Sequence, residues 1–526
     1  MKIHSKKFSS VRKINYPKSR FDLSHSHQGT YDWGWLYPIF YEEATPGDYF
    51  QIAQQMVAKM MPTIAPIQHE INAYVHYYFV PYRLLDTNWE EFITGGKNGT
   101  DESSLPVWDP TAGDKTPGSL WDHFGLPLTN AEGVEPLQYL LQAYNFIWSE
   151  YYRDENLTDE LEYPYTANIY GGGGSNYRLN NRAWEKDYFT ASLPWQQRGI
   201  APALPISGTT LAVWAANMFN DAATTAAYHG SMNWDATADN DQARSPDADA
   251  ARRAQALENA KDFMNSNSVD LSNATTFDVA DIRAAVQIQR WLERNARSGA
   301  RYTEVLEAHF DESPTDDRLQ RPEYIGGWRQ QITITEVLQV SETAETPQGN
   351  RAGIGSAYGG GHVGNYKALE YGIVMGIMSI MPRSMYTQGM NRQWLRRTRY
   401  DFLWPEFVNL SEQAILTAEI FAGDVEEDNL EIFGYQGRYD ELRQRTSRAV
   451  GLMRQSTSGL IHWNLSRKFA TAPALNWTFM QVETQALKDR VFVAPNEPGF
   501  IITFGNICTV ERALPTIAEP GMLDHI

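Results

Sequence analysis

Apolar and polar positions alternate with a period of two along much of the chain from Phe21 onward, the signature of strands. Ile71 to Val80 places Ile71, Ala73, Val75, Tyr77 and Phe79 on one face, with Asn72, Tyr74, His76, Tyr78 and Val80 on the other. The second face is amphipathic, so this strand is expected to lay one side on a core and offer the other to a contact, ending at Pro81. Pro46-Gly47-Asp48 is a turn signal that leads into a strand at Tyr49-Phe50-Gln51-Ile52. Ile332, Ile334, Leu338 and Val340 alternate with Thr333, Thr335 and Gln339, and Phe500 to Val510 is a further β-rich segment. The most apolar run, Tyr371 to Met381, is too short for a bilayer, which takes roughly 20 residues.

A helical period interrupts this pattern in two or three places. Pro136 stands where a first turn would begin, and Leu137, Leu140, Leu141, Tyr144, Ile147, Trp148 and Tyr151 recur at helical spacing behind it. A second helix is expected from Asp278, an N-cap with Asp281 three residues on, through Ile282, Ala285, Val286, Gln289 and Leu292. A short third one covers Thr303 to Phe310. These apolar stripes read as packing faces. Long irregular stretches lie between, notably Thr94 to Glu132.

Composition sharpens the picture. Aromatic residues make up 13% of the 526, and 26 Pro with 38 Gly cut the chain into short pieces, which favours extensive β structure with long loops over a helical bundle. With 42% hydrophobic and only 21% charged residues the chain is no disordered polymer. A single cysteine, Cys508, excludes an intrachain disulfide and a thiolate metal cluster. The first residues carry no apolar signal region, so a soluble, unexported and unanchored protein is expected.

Charge is unevenly spread. The total is −19, yet Lys2, Lys6, Lys7, Arg12, Lys13, Lys18 and Arg20 put seven positive charges into residues 1–20, where no acid stands. A cationic arm of this kind holds phosphate by releasing counterions, and Phe8 and Tyr16 within it are able to stack on unpaired bases. A second basic cluster is Arg392, Arg396, Arg397 and Arg399, facing either nucleic acid or a neighbouring subunit. Residues 199–275 differ again: Asp235, Asp239, Asp241, Asp247 and Asp249 sit in an Ala/Asn-rich stretch that reads as an exposed acidic insertion used for contact. It divides a main body of residues 21–198 and 276–526.

Candidate chemistry is thin. His25 and His27 would face the same side of a strand, as in the metal site of a cupin barrel, but Tyr31 and Asp32 stand where its glutamate belongs. Structural hydrogen bonding is the expectation for both. Gly171 to Gly174 lacks the Gly-Lys-Ser/Thr of a phosphate loop, and Gly353, Gly355 and Gly359 open no helix; both runs read as flexible turns. No nucleophile elbow and no zinc-binding HExxH appears, so neither catalysis, a cofactor nor a metal is expected. Besides a structural protein, a cupin-like metalloenzyme and a carbohydrate-binding β protein with exposed Trp and Tyr remain as alternatives.

A family resemblance is carried by collinear blocks. Phe21-Asp22-Leu23-Ser24-His25-Ser26-His27, Leu36-Tyr37-Pro38-Ile39 and Pro46-Gly47-Asp48-Tyr49-Phe50 open the series. Tyr78-Phe79-Val80-Pro81-Tyr82-Arg83, Trp89-Glu90-Glu91-Phe92-Ile93-Thr94-Gly95-Gly96 and Trp184-Glu185-Lys186-Asp187-Tyr188-Phe189-Thr190 follow, and Gln289-Arg290-Trp291-Leu292-Glu293-Arg294 and Arg318-Leu319-Gln320-Arg321-Pro322-Glu323-Tyr324-Ile325-Gly326-Gly327 lie beyond the insertion. Together they resemble the major capsid protein of the Microviridae, small single-stranded-DNA bacteriophages, in their gokushovirus-like branch. The resemblance implies a mainly β subunit, an eight-stranded antiparallel jelly-roll with long loops, a few helices and a large insertion. It further implies assembly in the host bacterial cytoplasm into a T=1 icosahedral shell around circular single-stranded DNA. Its implied partners are other copies of the chain, the viral DNA, pilot and small DNA-binding virion proteins, and a bacterial surface receptor met by the insertion.

Overall fold

The computed structural model describes residues 17–95, 103–108, 114–129, 135–161, 178–199, 208–211, 268–271, 279–297, 320–338, 351–410 and 412–517. The chain forms two compact units, one of Met1–Gln196 with Asp311–Ile526, the other of Gln197–Phe310. In chain order the strands are β1 Ser19–Asp22, β2 His25–Tyr31, β3 Leu36–Ala44, β4 Tyr49–Met60, β5 Ile71–Pro81, β6 Gly208–Leu211, β7 Ser268–Leu271, β8 Glu323–Gln331, β9 Thr333–Leu338, β10 Arg351–Lys367, β11 Gly372–Pro382, β12 Met385–Tyr386, β13 Gln413–Leu416, β14 Ile432–Gln436, β15 Ser447–Arg448 and β16 Phe500–Arg512.

The larger unit is built on two antiparallel sheets. In one, β1 and β2 lie end to end along β16, followed by β4, β10 and β9; the other runs β3, β11, β5, β8. Alternate side chains of both sheets meet in one core. Phe50, Ile52, Met56, Phe500, Ile502 and Phe504 come from the first sheet, and Ile71, Val75, Tyr77, Val374 and Met378 from the second. This is the period-two pattern at work, since each strand sends every other residue inward.

β5 and β11 are buried on both faces because the second sheet is covered on its outer side too. There the Tyr139–Tyr151 helix, with Trp108, Trp121 and Phe124, packs on Tyr78, Val80, Ile373, Met375 and Ile377 as a second core. The contact anticipated for the outer face of β5 is thus this chain's own layer. The unbroken apolar run at β11, buried at every position, follows from cover on both sides. The helix starts at Tyr139, later than the apolar spacing suggests. Leu137 pairs as an isolated bridge with Val107, and the carbonyl of Pro136 accepts from Trp108 N at 2.7 Å.

Gly353, Gly355 and Gly359, read from sequence as part of a flexible turn, lie instead within the long strand β10. Close approach explains the glycines better than flexibility does. A Cβ on Gly353 would stand 2.4 Å from Thr63 Oγ1, and one on Gly360 would stand 2.5 Å from the backbone oxygen of Gln54. The Gly171–Gly174 run lies outside the described residues.

In the smaller unit β6 pairs antiparallel with β7, and a helix spans Val279–Arg297 directly after the Asp278 N-cap signal. On that helix Leu292 is buried while Val286, Ile288 and Trp291 are exposed. Asp235, Asp239, Asp241, Asp247 and Asp249, and the helix expected at residues 303–310, lie outside the described residues. Among the described residues no helix is long and apolar enough to cross a membrane.

The covered outer face of β5 creates a pH dependence. His76 Nδ1 sits 2.8 Å from the hydroxyl of Tyr152, and burial, helped by the charge of Arg182, pulls the imidazole from 6.5 to about 4. The unfolded chain therefore binds a proton between these values that the folded chain refuses. The contribution is complete above about 6.5 and is lost as pH falls towards 4. Urea unfolding of wild type and His76→Gln across that window should show a shallower decline for the variant; parallel curves would contradict this account.

Candidate assembly surface

The segment between β12 and β15 is held tightly by its backbone yet leaves large apolar side chains in solvent. Thr398 and Asp401 form a capping box on a short 3-10 turn, and the amides of Thr398 and Arg397 donate to Asp401 Oδ2 at 2.7 and 2.8 Å, which holds that carboxyl below its usual range. Trp404 Nε1 donates to the carbonyl of Arg399 at 2.8 Å, and the Tyr439 hydroxyl donates to that of Phe402 at 3.0 Å. Tyr439 adopts φ +65°, the one non-glycine residue in the left-handed region among those described. On this frame Trp394 is 65% exposed, Phe402 53% and Leu403 52%; Tyr400, Trp404 and Leu410 are exposed beside them. Apolar residues gathered in this way on a pinned loop mark an interaction surface.

The four arginines named from sequence lie in this segment but do different things. Arg392 Nη1 pairs with Glu419 at 2.9 Å, and Arg396 Nη2 with Glu441 at 2.9 Å, both carboxylates being buried. Their charges are engaged inside the subunit. Arg397 and Arg399 are exposed, and the Arg399 guanidinium lies 4.8 Å from the Tyr400 ring centre. Of the arm cations, Lys2, Lys6, Lys7, Arg12 and Lys13 lie outside the described residues. Lys18 donates to the carbonyl of Gly47, and Arg20, within β1, reaches Gln51 Oε1 and Thr509 Oγ1, each at 3.0 Å.

His25 and His27 sit at the start of β2. His25 Nδ1 is 2.9 Å from the carbonyl of Leu23, and Nε2 is 3.2 Å from Asn506 Nδ2, so both its ring nitrogens have protein partners. Burial, then the neighbouring His25, pulls His27 below the ordinary imidazole value. Among the described residues no three His, Cys, Asp or Glu side chains gather as a metal site would require.

The family model described as capsid protein (F protein) matches residues 9–522 of this chain. The chain belongs to that family. Capsid protein VP1 of Bdellovibrio phage phiMH2K is 33% identical over 530 residues, covering 98% of this chain and 97% of that one. Capsid protein VP1 of Chlamydia phage 1 is 31% identical over 584 residues with the same coverage, and that of Spiroplasma virus 4 is 27% identical over 544. The Microviridae resemblance carried by the sequence blocks is therefore real and extends along the whole chain. As a capsid subunit the molecule is a structural component of the virion shell, and its work is done by surfaces. For such a subunit an exposed apolar segment is the kind of surface that contacts between copies use. The sequence reading took the arginines of this segment and passed over Trp394, Phe402, Leu403 and Trp404 between them. Aromatics interleaved with arginine in a loop carried the signal.

Proposed function

We propose that copies of this subunit close into a T=1 icosahedral shell around a circular single-stranded DNA genome, each body being an eight-stranded jelly-roll. Strand pairing carries the fold reading. Number β2, β3, β4, β5, β8, β10, β11 and β16 from one to eight: the first pairs with the eighth, the second with the seventh, the third with the sixth and the fourth with the fifth. A long hairpin rolled into two facing sheets has this order, and the double-sheet jelly-roll of viral capsids is built that way. β1 and β9 extend the edges.

In this reading Lys2, Lys6, Lys7, Arg12 and Lys13 contact the genome, supported by the absence of acids among them, and exposed Arg397 and Arg399 are secondary candidates. Lys18 and Arg20 anchor the root of the arm. The insertion, with Asp235, Asp239, Asp241, Asp247 and Asp249, forms a protrusion that meets a bacterial surface receptor, and pilot and small DNA-binding proteins complete the virion.

Imaging of the purified chain under assembly conditions should give uniform closed shells; monomers alone would refute the reading. Because β1 begins at Ser19, a deletion that tests the arm should stop at residue 16. Shells of that variant are expected to form, with less DNA retained and a log–log salt slope shallower by roughly 3.5 for five lost cations. Unchanged DNA content would remove the arm from the mechanism.

A further inference from the structure

From Leu442 to Val482 the sequence holds no Asp or Glu, while Arg443, Arg445, Arg448, Arg454, Arg467 and Lys468 fall within it, in a chain of net charge −19. The fold brings part of this stretch to a cleft of about 260 Å³. Arg467, Lys468 and Arg490 line it with Ser456, Ser466 and Trp184, and Glu483 is the one carboxylate of the lining.

Two guanidinium groups there are left incomplete. Arg467 is only 4% exposed, its guanidinium 4.1 Å from the Phe479 ring centre and 5.1 Å from that of Trp184. Its Nη2 donates to the carbonyl of Phe479, but Nη1 is buried with no hydrogen-bond partner. Arg490 Nη2 donates to the carbonyl of Ser466 at 2.8 Å, and its Nε is likewise buried and unpartnered. Neither forms an ion pair among the described residues. A buried N–H of a cation without an acceptor is costly, and native structures rarely leave one so unless an acceptor arrives from outside. Burial, then the charge of Arg490, also pushes the Lys468 amine down, and burial pushes Arg490 down to about 10 against the opposing charge of Glu483: these cations are held out of water.

We propose that this cleft binds the phosphate group of a phosphate ester, with Arg467 and Arg490 donating to its oxygens and Lys468 supplying further charge. Three cations facing one carboxylate favour a multiply charged anion with several acceptors over a simple carboxylate ligand. The volume exceeds the needs of a bare ion, and Trp184, Ile461 and Leu487 provide an apolar wall for the group the phosphate carries. None of the lining residues belongs to the N-terminal arm.

The test is calorimetric titration of the purified full-length subunit with inorganic phosphate, thymidine monophosphate and a short oligothymidylate, at constant ionic strength against chloride. Ser456→Glu places an anion at the exposed mouth and should weaken binding at least about tenfold; Lys468→Gln should weaken it several-fold. Near-ultraviolet dichroism checks that both variants keep the native fold. Equal losses for all three ligands, with the oligonucleotide tightest, would assign the site to a nucleic-acid backbone. Losses for phosphate and the monophosphate with no gain from the longer strand would assign it to a free phosphate ester. No binding by wild type, or binding that both folded variants retain, overturns the proposal.

Discussion

Replacing Glu419 by alanine is expected to lower the unfolding free energy of the subunit by about 3–5 kcal/mol. The carboxylate is 2% exposed and accepts from Arg392 Nη1 at 2.9 Å, from the Tyr188 hydroxyl at 2.9 Å and from the amide of Leu416 at 3.0 Å. Truncation strands a partly buried guanidinium and a buried hydroxyl together, which costs more than the pair itself contributes. A double replacement, Glu419→Leu with Arg392→Met, removes both charges and should recover most of the loss. Urea unfolding of the unassembled subunit measures both. A single variant within about 1 kcal/mol of wild type would show that water reaches and solvates Arg392 freely.

The second large effect concerns assembly and leaves the fold alone. Trp394→Asp combined with Leu403→Asp puts two carboxylates on side chains that are 65% and 52% exposed, so the free subunit should unfold at an unchanged urea concentration. If neighbouring copies bury this segment, each contact loses a central aromatic anchor, commonly worth about 2 kcal/mol or more, and gains desolvated charge. A closed shell repeats that penalty at every symmetry-related contact. Closed particles should disappear from sedimentation profiles and electron micrographs, with folded monomers or small oligomers in their place. Normal particles from the doubly substituted chain would place the segment away from subunit contacts.

Strand positions were legible in the chain because their cause is local: a period of two, ended by Pro81 or launched by Pro46-Gly47-Asp48, needs no distant partner. The apolar run that becomes β11 was equally visible, though whether one or both of its faces would be covered was not, since that depends on a helix more than two hundred residues earlier. Glycine misled at β10. The same residue type serves flexible turns and strands crowded by neighbouring backbone, and only the distances from Gly353 to Thr63 and from Gly360 to Gln54 tell them apart. The arginine cluster was found by its composition, but its division into members paired with buried carboxylates and members left exposed was hidden. Glu419 and Glu441 stand 27 and 45 residues from their partners Arg392 and Arg396, separations that no local spacing rule covers. The acid-free stretch after Glu441, by contrast, was open to inspection in the sequence itself.

β16 is the strand against which β1, β2 and β4 all lie, and it is formed by residues 500–512. A ribosome must therefore translate about five hundred residues before the first strands find their seat. Until then β4 offers a bare edge, which invites mispairing in a crowded cell. The architecture thus acts as a completeness check: a chain broken off before Phe500 lacks the strand that joins its beginning to its middle, and such a fragment has no finished wall to contribute to a particle.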